Sequence, residues 1–242
     1  MIRPMRAPLS SCLVPTFCLA ARSGSASAAI IYGILCKFTP LEGKVFAPAR
    51  IGRGFVPGVR MRLAKTVALV GMMGAGKTAV GTALARLLDV PLRDSDEEIV
   101  RAAKMTIPEI FARDGEPFFR AREAEVLARL VKGPPCILST GGGAYLAEAN
   151  RRVITENGVA VWLRADLELL WQRVRHKNTR PLLRTANPRE TLRELYEARS
   201  PIYALADLVV DCDARLSIEE MALRVIEALK TRPDLWQKDV EA

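Results

Sequence analysis

A chain of 242 residues, half of them hydrophobic and about a quarter charged, has the size and composition of one substantial globular domain, not of a fibre or a disordered polymer. Its formal charge of +9 suggests a polyanionic partner only until the charge is located: the first 63 residues hold nine of the 36 basic residues and one of the 27 acidic ones. The remainder is nearly balanced, which argues against a basic groove for nucleic acid.

Residues 1–62 are rich in Arg, Ser, Ala, Gly and Pro and almost free of acids, as organelle transit peptides are. Leu13 to Ala21 has the length of a signal-peptide apolar core. Disorder, or translation from a start upstream of Met61, accounts equally well for the composition, and no helical or strand period is sustained there. This leader is expected to carry none of the chemistry. It also holds Cys12, Cys18 and Cys36, leaving Cys136 and Cys212 without C-x-x-C spacing or a histidine cluster beside them. Neither a disulfide framework nor a zinc site is expected, and a reducing compartment fits. No apolar run approaches the length that spans a bilayer. The domain proper is expected over 63–232, with a short tail over 233–242.

The first strong element is the apolar run Thr66-Val67-Ala68-Leu69-Val70, which reads as a buried parallel strand. It leads into Gly71-Met72-Met73-Gly74-Ala75-Gly76-Lys77-Thr78, which fits the phosphate-binding pattern G-x-x-x-x-G-K-[ST] at every fixed position. A helix is expected to follow from Lys77 to Leu88. Strand, glycine loop and helix form the context in which backbone amides and the positive end of the helix can surround an anion. Lys77 would reach the β- and γ-phosphates, and the Thr78 hydroxyl would ligate Mg²⁺.

A short second strand near Val90–Arg93 ends in Asp94-Ser95-Asp96, two carboxylates that can serve a metal–phosphate site, one through Mg²⁺ and the other on a substrate hydroxyl. Asp96 also reads as the N-cap of a helix over Asp96–Ala103. Pro108 marks a helix start, Gly115 follows a helix end, and a longer helix is expected over Glu116–Lys132. The strand Cys136–Ser139 runs into Thr140 and then Gly141-Gly142-Gly143, whose bare amides suit a small polyhydroxy ligand. It lacks the usual acidic end, so Asp94 must supply that function. Further helices are expected over Ala147–Thr155, Leu167–Arg175, Arg189–Arg199 and Ile218–Lys230, and strands over Val159–Leu163 and Leu208–Val210. Gly158 follows a helix end. Alternation of this kind implies a parallel sheet covered on both faces, with ligands outside the carboxyl ends of the strands. Arg175 to Pro188 reads as a lid over the site, with His176, the lone histidine, a solvated member of it.

Arg120, Arg180 and Arg199 stand out by context, since arginine captures carboxylate or phosphate with two parallel hydrogen bonds. With GMMGAGKT, DSD at Asp94–Asp96, IFARDGEPFFR ending at Arg120, STGGGA at Ser139–Ala144, RPLL at Arg180–Leu183 and RSPIYALAD at Arg199–Asp207, the chain resembles the shikimate kinase family from about Leu63 to Lys230. The resemblance implies a three-layer α/β/α P-loop kinase fold with a central five-stranded parallel sheet and a mobile lid. It implies phosphorylation of the 3-hydroxyl of shikimate by ATP with Mg²⁺ as cofactor, in a cytoplasmic monomer, or an organellar one if residues 1–62 are a genuine transit peptide.

By that resemblance, Gly74, Ala75, Gly76, Lys77, Thr78 and Ala79 bind ATP together with Arg173, Arg180 and Arg215. Asp96, Arg120, Gly141, Gly142, Gly143 and Arg199 bind shikimate, and Thr78 and Asp94 take the metal positions. Lys77, Asp96 and Arg180 carry the catalysis. A gluconate-type sugar-acid kinase is the nearest alternative, and would share the P-loop but not the triple glycine with RPLL and R-x-P-x-Y. A catalytically silent relative would have lost Lys77, Asp96 or Arg180, and none is lost.

Overall fold

The computed structural model describes residues 62–176 and 181–237, so the leader and Arg180 lie outside the described residues. In chain order the elements are β1 (Arg62–Leu63), β2 (Thr66–Val70), α1 (Lys77–Leu88), β3 (Leu92–Asp94), α2 (Ser95–Ala103), α3 (Ile107–Val131), β4 (Ile137–Ser139), α4 (Glu148–Asn157), β5 (Gly158–Arg164), α5 (Leu167–Val174), α6 (Pro188–Tyr203), β6 (Leu208–Asp211), α7 (Ile218–Lys230) and β7 (Trp236–Gln237). Short 3₁₀ turns occupy Ala144–Leu146, Pro181–Leu183 and Pro233–Leu235.

Five strands form one parallel sheet in the order β3-β4-β2-β5-β6. All five residues of β2 are buried although successive side chains point to opposite faces, so helices cover both sides of the sheet and the architecture is the expected three-layer α/β/α P-loop kinase fold. That double burial is why β2 reads as an unbroken apolar run instead of an alternating one. The chain leaves β2 toward β3 on one side and later returns through β5 on the other. The reversal opens a crevice at the carboxyl end of β2, where ligands of open α/β sheets gather. No helix among the described residues is long and apolar enough to cross a membrane.

Three features differ from the sequence expectation, each for a local reason. The cap of α2 is Asp94, not Asp96: the Asp94 side chain accepts from the Asp96 amide at 3.0 Å, and the helix begins at Ser95. The helix expected to start at Pro108 runs on through Gly115 into the one expected from Glu116, so that α3 spans Ile107–Val131, launched by a reciprocal Thr106/Glu109 capping box with proline in its first turn. Gly115 is the corner between its two halves, at φ 80° and ψ 173°, a backbone that only glycine adopts without strain.

The third difference is an antiparallel ribbon in which Arg62 pairs with Gln237 and Leu63 with Trp236. Leu235 just before it is fully buried, and Lys65 meets Asp234 at 2.8 Å. Residues 233–237, placed in a tail by the sequence reading, therefore pack on the domain.

Candidate active site

The phosphate loop is built at the end of β2. Gly76 caps α1 with φ 96° and no side-chain hydrogen bond, and the first turn of α1 holds no acid. By contrast α2, α3, α5, α6 and α7 each close their N-terminus with Asp94, Thr106, Asp166, Asn187 or Ser217. The leading amides of α1, Ala79 in its exposed first turn included, are left for an external anion, with the positive end of the helix behind them.

The Lys77 ammonium folds over the loop, donating to the carbonyls of Gly71 at 2.8 Å and Met72 at 3.0 Å. On the far side the Arg173 guanidinium, from the last turn of α5, donates to the carbonyls of Gly74 at 3.3 Å and Ala75 at 3.2 Å. The Cys212 thiol, just after β6, also meets the Ala75 carbonyl, at 3.7 Å. Burial pushes this thiol up to about 11, so it stays protonated and able to donate. Arg215 stands nearby in the loop between β6 and α7, exposed and ion-paired with Asp213 at 2.7 Å.

Beside the loop lies a set of oxygen donors. The Thr78 hydroxyl is 3.3 Å from Asp94 Oδ2 and 3.1 Å from Ser139 Oγ. Ser139 takes the place of the missing strand-end acid, a role the sequence reading did not give it. One carboxylate with two hydroxyls suits a hard divalent ion such as Mg²⁺, which keeps waters and phosphate oxygens for its other positions. Among the described residues no group of three or more His, Cys, Asp or Glu gathers to hold a metal by protein alone.

The glycine turn after β4 adjoins this loop directly. A Cβ added at Gly142 would lie 3.9 Å from both the Gly71 carbonyl oxygen and the Met73 amide. The turn is pinned to α2 by the Gly141 amide, which donates to Ser95 Oγ at 2.9 Å. A Cβ at Gly141 would fall 2.5 Å from Asp96 Oδ1 and 3.4 Å from Glu123 Oε1, and one at Gly143 would fall 2.7 Å from Arg120 Nη1. Asp96, Glu123 and Arg120 therefore face the turn together.

Arg120 is held from its own helix, by Glu123 Oε2 at 2.8 Å and Glu116 Oε1 at 3.1 Å. Glu123 is buried, and that burial raises its carboxyl despite the opposing charge of Arg120; Asp96 raises it further. From the other side the Tyr203 hydroxyl donates to the Gly142 carbonyl at 2.5 Å, and Arg199, one helical turn earlier on α6, opposes the rise that burial gives this phenol.

The structure thus brings together the phosphate loop, Lys77, Thr78, Asp94, Asp96, Arg120, Gly141–Gly143, Arg173 and Arg199. It leaves Arg215 against Asp213, and Arg180 lies outside the described residues. His176 is exposed, as expected of a solvated residue. Glu123 was missed although it stands three residues beyond Arg120 on one helix, a spacing at which side chains meet. Tyr203 belongs to the quoted R-x-P-x-Y stretch, but its contact with Gly142 crosses 61 residues and leaves no local pattern.

The family model for shikimate kinase matches residues 73–230. A shikimate kinase of Cereibacter sphaeroides is 68% identical over 75% of this chain and 90% of its own length. Another, of Ruegeria pomeroyi, is 67% identical over 75% of this chain and 93% of its own. Among solved structures, a shikimate kinase from Acinetobacter baumannii in complex with shikimate matches with a TM-score of 0.66 and 38% identity, over 70% of this chain and 94% of that one.

Proposed function

This chain belongs to the shikimate kinase family, and we propose how its residues carry out the family's reaction, transfer of the γ-phosphoryl group of ATP to the 3-hydroxyl of shikimate to give 3-phosphoshikimate and ADP. The observation that supports these roles best is the position of Gly142. It abuts the phosphate loop on one side and takes the Tyr203–Arg199 pair on the other, while Gly143 next to it abuts Arg120. Cation-lined phosphate loop and paired guanidiniums share one cleft.

The amides of Gly74 to Ala79 and the Lys77 ammonium bind the ATP phosphates, with Arg173 and Arg215 beside the adenine. Arg180, carried over from the resemblance, closes on the phosphates from the lid. Thr78 and Asp94, with Ser139, hold Mg²⁺, which when bound offsets negative charge between the phosphates. Arg120 and Arg199 take the shikimate carboxylate, with the Gly141–Gly143 amides beneath the ring. Asp96 orients the 3-hydroxyl toward the γ-phosphorus and accepts its proton as the new P–O bond forms and the bond to ADP breaks. The transition state of such a transfer is loose, so alignment and charge stabilisation supply most of the rate. Among the described residues Cys136 and Cys212 are free thiols, which supports a reducing, cytoplasmic setting.

The direct test couples ADP release to a reporter and offers shikimate and gluconate separately. Turnover is expected with shikimate and background rates with gluconate; the reverse order would reject the assigned acceptor. Gly143→Ala tests the turn itself. Gly143 has ordinary helical dihedrals, φ −93° and ψ −17°, so alanine strains nothing in the backbone, yet its Cβ would displace the Arg120 guanidinium. The expected outcome is a shikimate KM raised about tenfold, the order of loss that accompanies a misplacement of about 1 Å or less, with the ATP KM and melting temperature little changed.

A further inference from the structure

We propose that Tyr203 is a positioning residue for substrate binding: its hydroxyl ties the Arg199 guanidinium to the Gly142 carbonyl and so sets the spacing of the two arginines that grip the acid. The inference rests on the reading of Arg199 as a carboxylate ligand and adds the group that aims it.

Arg199 and Tyr203 stand one helical turn apart near the end of α6, so their side chains emerge on the same face. The phenol is fully buried, donates to Gly142 O at 2.5 Å, and stands close enough to Arg199 for that side chain to act on its proton. A phenol oxygen can donate to a carbonyl and accept from a guanidinium, since it carries one proton and free lone pairs. Burial holds this hydroxyl above its ordinary pKa although Arg199 opposes the rise. It therefore keeps its proton, and its bond to Gly142, through the pH range in which an enzyme works.

The ring is fixed from both sides. Trp162 of β5 lies at a centroid distance of 6.1 Å and Tyr145 at 6.5 Å, both near-parallel to it. The Tyr145 hydroxyl in turn donates to the Leu205 carbonyl just beyond α6. Trp162 also lies under the phosphate loop, for a Cβ at Gly71 would come within 3.1 Å of its ring. The phenol is thus held by the same scaffold that carries the loop. An arginine on the side of a helix has several free torsions, and a buried oxygen at a fixed place removes the poses that would point it away from the cleft. Arg120 has its own guide in Glu123, so each arginine of the pair is held by one buried polar partner, a carboxylate for one and a phenol for the other.

The test is a cycle of Tyr203→Phe, Arg199→Ala and the double variant, each assayed for the KM of shikimate and of ATP. Phenylalanine keeps the ring packing and removes only the hydroxyl. We expect Tyr203→Phe to raise the shikimate KM about tenfold and leave the ATP KM unchanged, and the double variant to be no worse for shikimate than Arg199→Ala alone. A shikimate analogue bearing an alcohol in place of the carboxylate should bind Tyr203→Phe and the parent enzyme equally. Tyr145→Phe, which loses only the bond to Leu205, should leave both KM values as they are.

An unchanged shikimate KM in Tyr203→Phe, an equal rise for both substrates, or additive effects in the double variant would overturn the proposal. A lower melting temperature alone does not alter the outcome, because the KM ratio is measured on the folded fraction. If Arg199→Ala itself leaves the shikimate KM unchanged, it is the carboxylate reading of Arg199 that fails, and the two failures are told apart.

Discussion

Lys77→Ala is expected to lower turnover by a factor of at least 10²–10³, the usual consequence of deleting one preorganised charge at a reacting centre, worth about 3 kcal/mol of barrier. Lys77 opens α1, at the one position where the ammonium can reach across the loop to the carbonyls of Gly71 and Met72. Those carbonyls hold the side chain over the place where the phosphates enter. As charge shifts toward the leaving ADP, the ammonium follows it with little reorganisation, while Arg173 is spent on Gly74 and Ala75 on the far side. The fold should survive the change, since the lysine is partly exposed and its bonds to two loop carbonyls are worth roughly 1 kcal/mol each. Rates are to be measured at saturating Mg·ATP and shikimate, with melting temperature as the control. Near-parental kcat in a folded Lys77→Ala protein would remove Lys77 from the catalytic roles assigned above.

The second large effect is expected from the guanidinium pair. Arg120→Ala and Arg199→Ala should each raise the shikimate KM by about a hundredfold and leave the ATP KM within about twofold, since a charge-assisted pair withdrawn from a carboxylate commonly costs about 2–3 kcal/mol. Arg120→Ala carries a further penalty, because Glu123 is buried and would lose the cation that opposes its raised pKa. Its carboxyl should then take up a proton at a higher pH than in the parent enzyme. Lysine at either position keeps the charge but not the planar fork, and should recover only part of the loss. Weakened ATP binding with unchanged shikimate KM would mean that these arginines serve the other ligand.

How much of this was legible in the chain depends on whether the physics is local. The strand–loop–helix of β2 and α1 was plain, because a doubly buried strand is a continuous apolar run and the loop's glycines follow from the backbone it needs. The start of α3 was also written locally, in Pro108 and in the capping pair Thr106 and Glu109, and Gly115 marked its corner. The cap on α2 was assigned two residues late because Asp94 and Asp96 are both suitable types, and only the backbone decides which of them closes the helix.

The acid side of the cleft was less accessible. Arg120 and Arg199 stood out only weakly by context among many arginines, and the family resemblance gave them their ligand. Ser139, Glu123 and Tyr203 derive their places from partners far away in the chain: Thr78, the glycine turn and Gly142. The ribbon of β1 and β7 is two residues long on each side, too short to show any period.

That ribbon has a practical consequence. Because Arg62 faces Gln237 across an antiparallel pair, these two residues lie within about 5 Å of each other by the geometry of such pairing. They do so beside the amino-terminal end of β2, whereas the chemistry occupies its carboxyl end. In a chain trimmed to residues 62–237, a bridge of a few residues could join the two into a ring, and fresh termini could then be opened in an exposed loop with the catalytic machinery undisturbed.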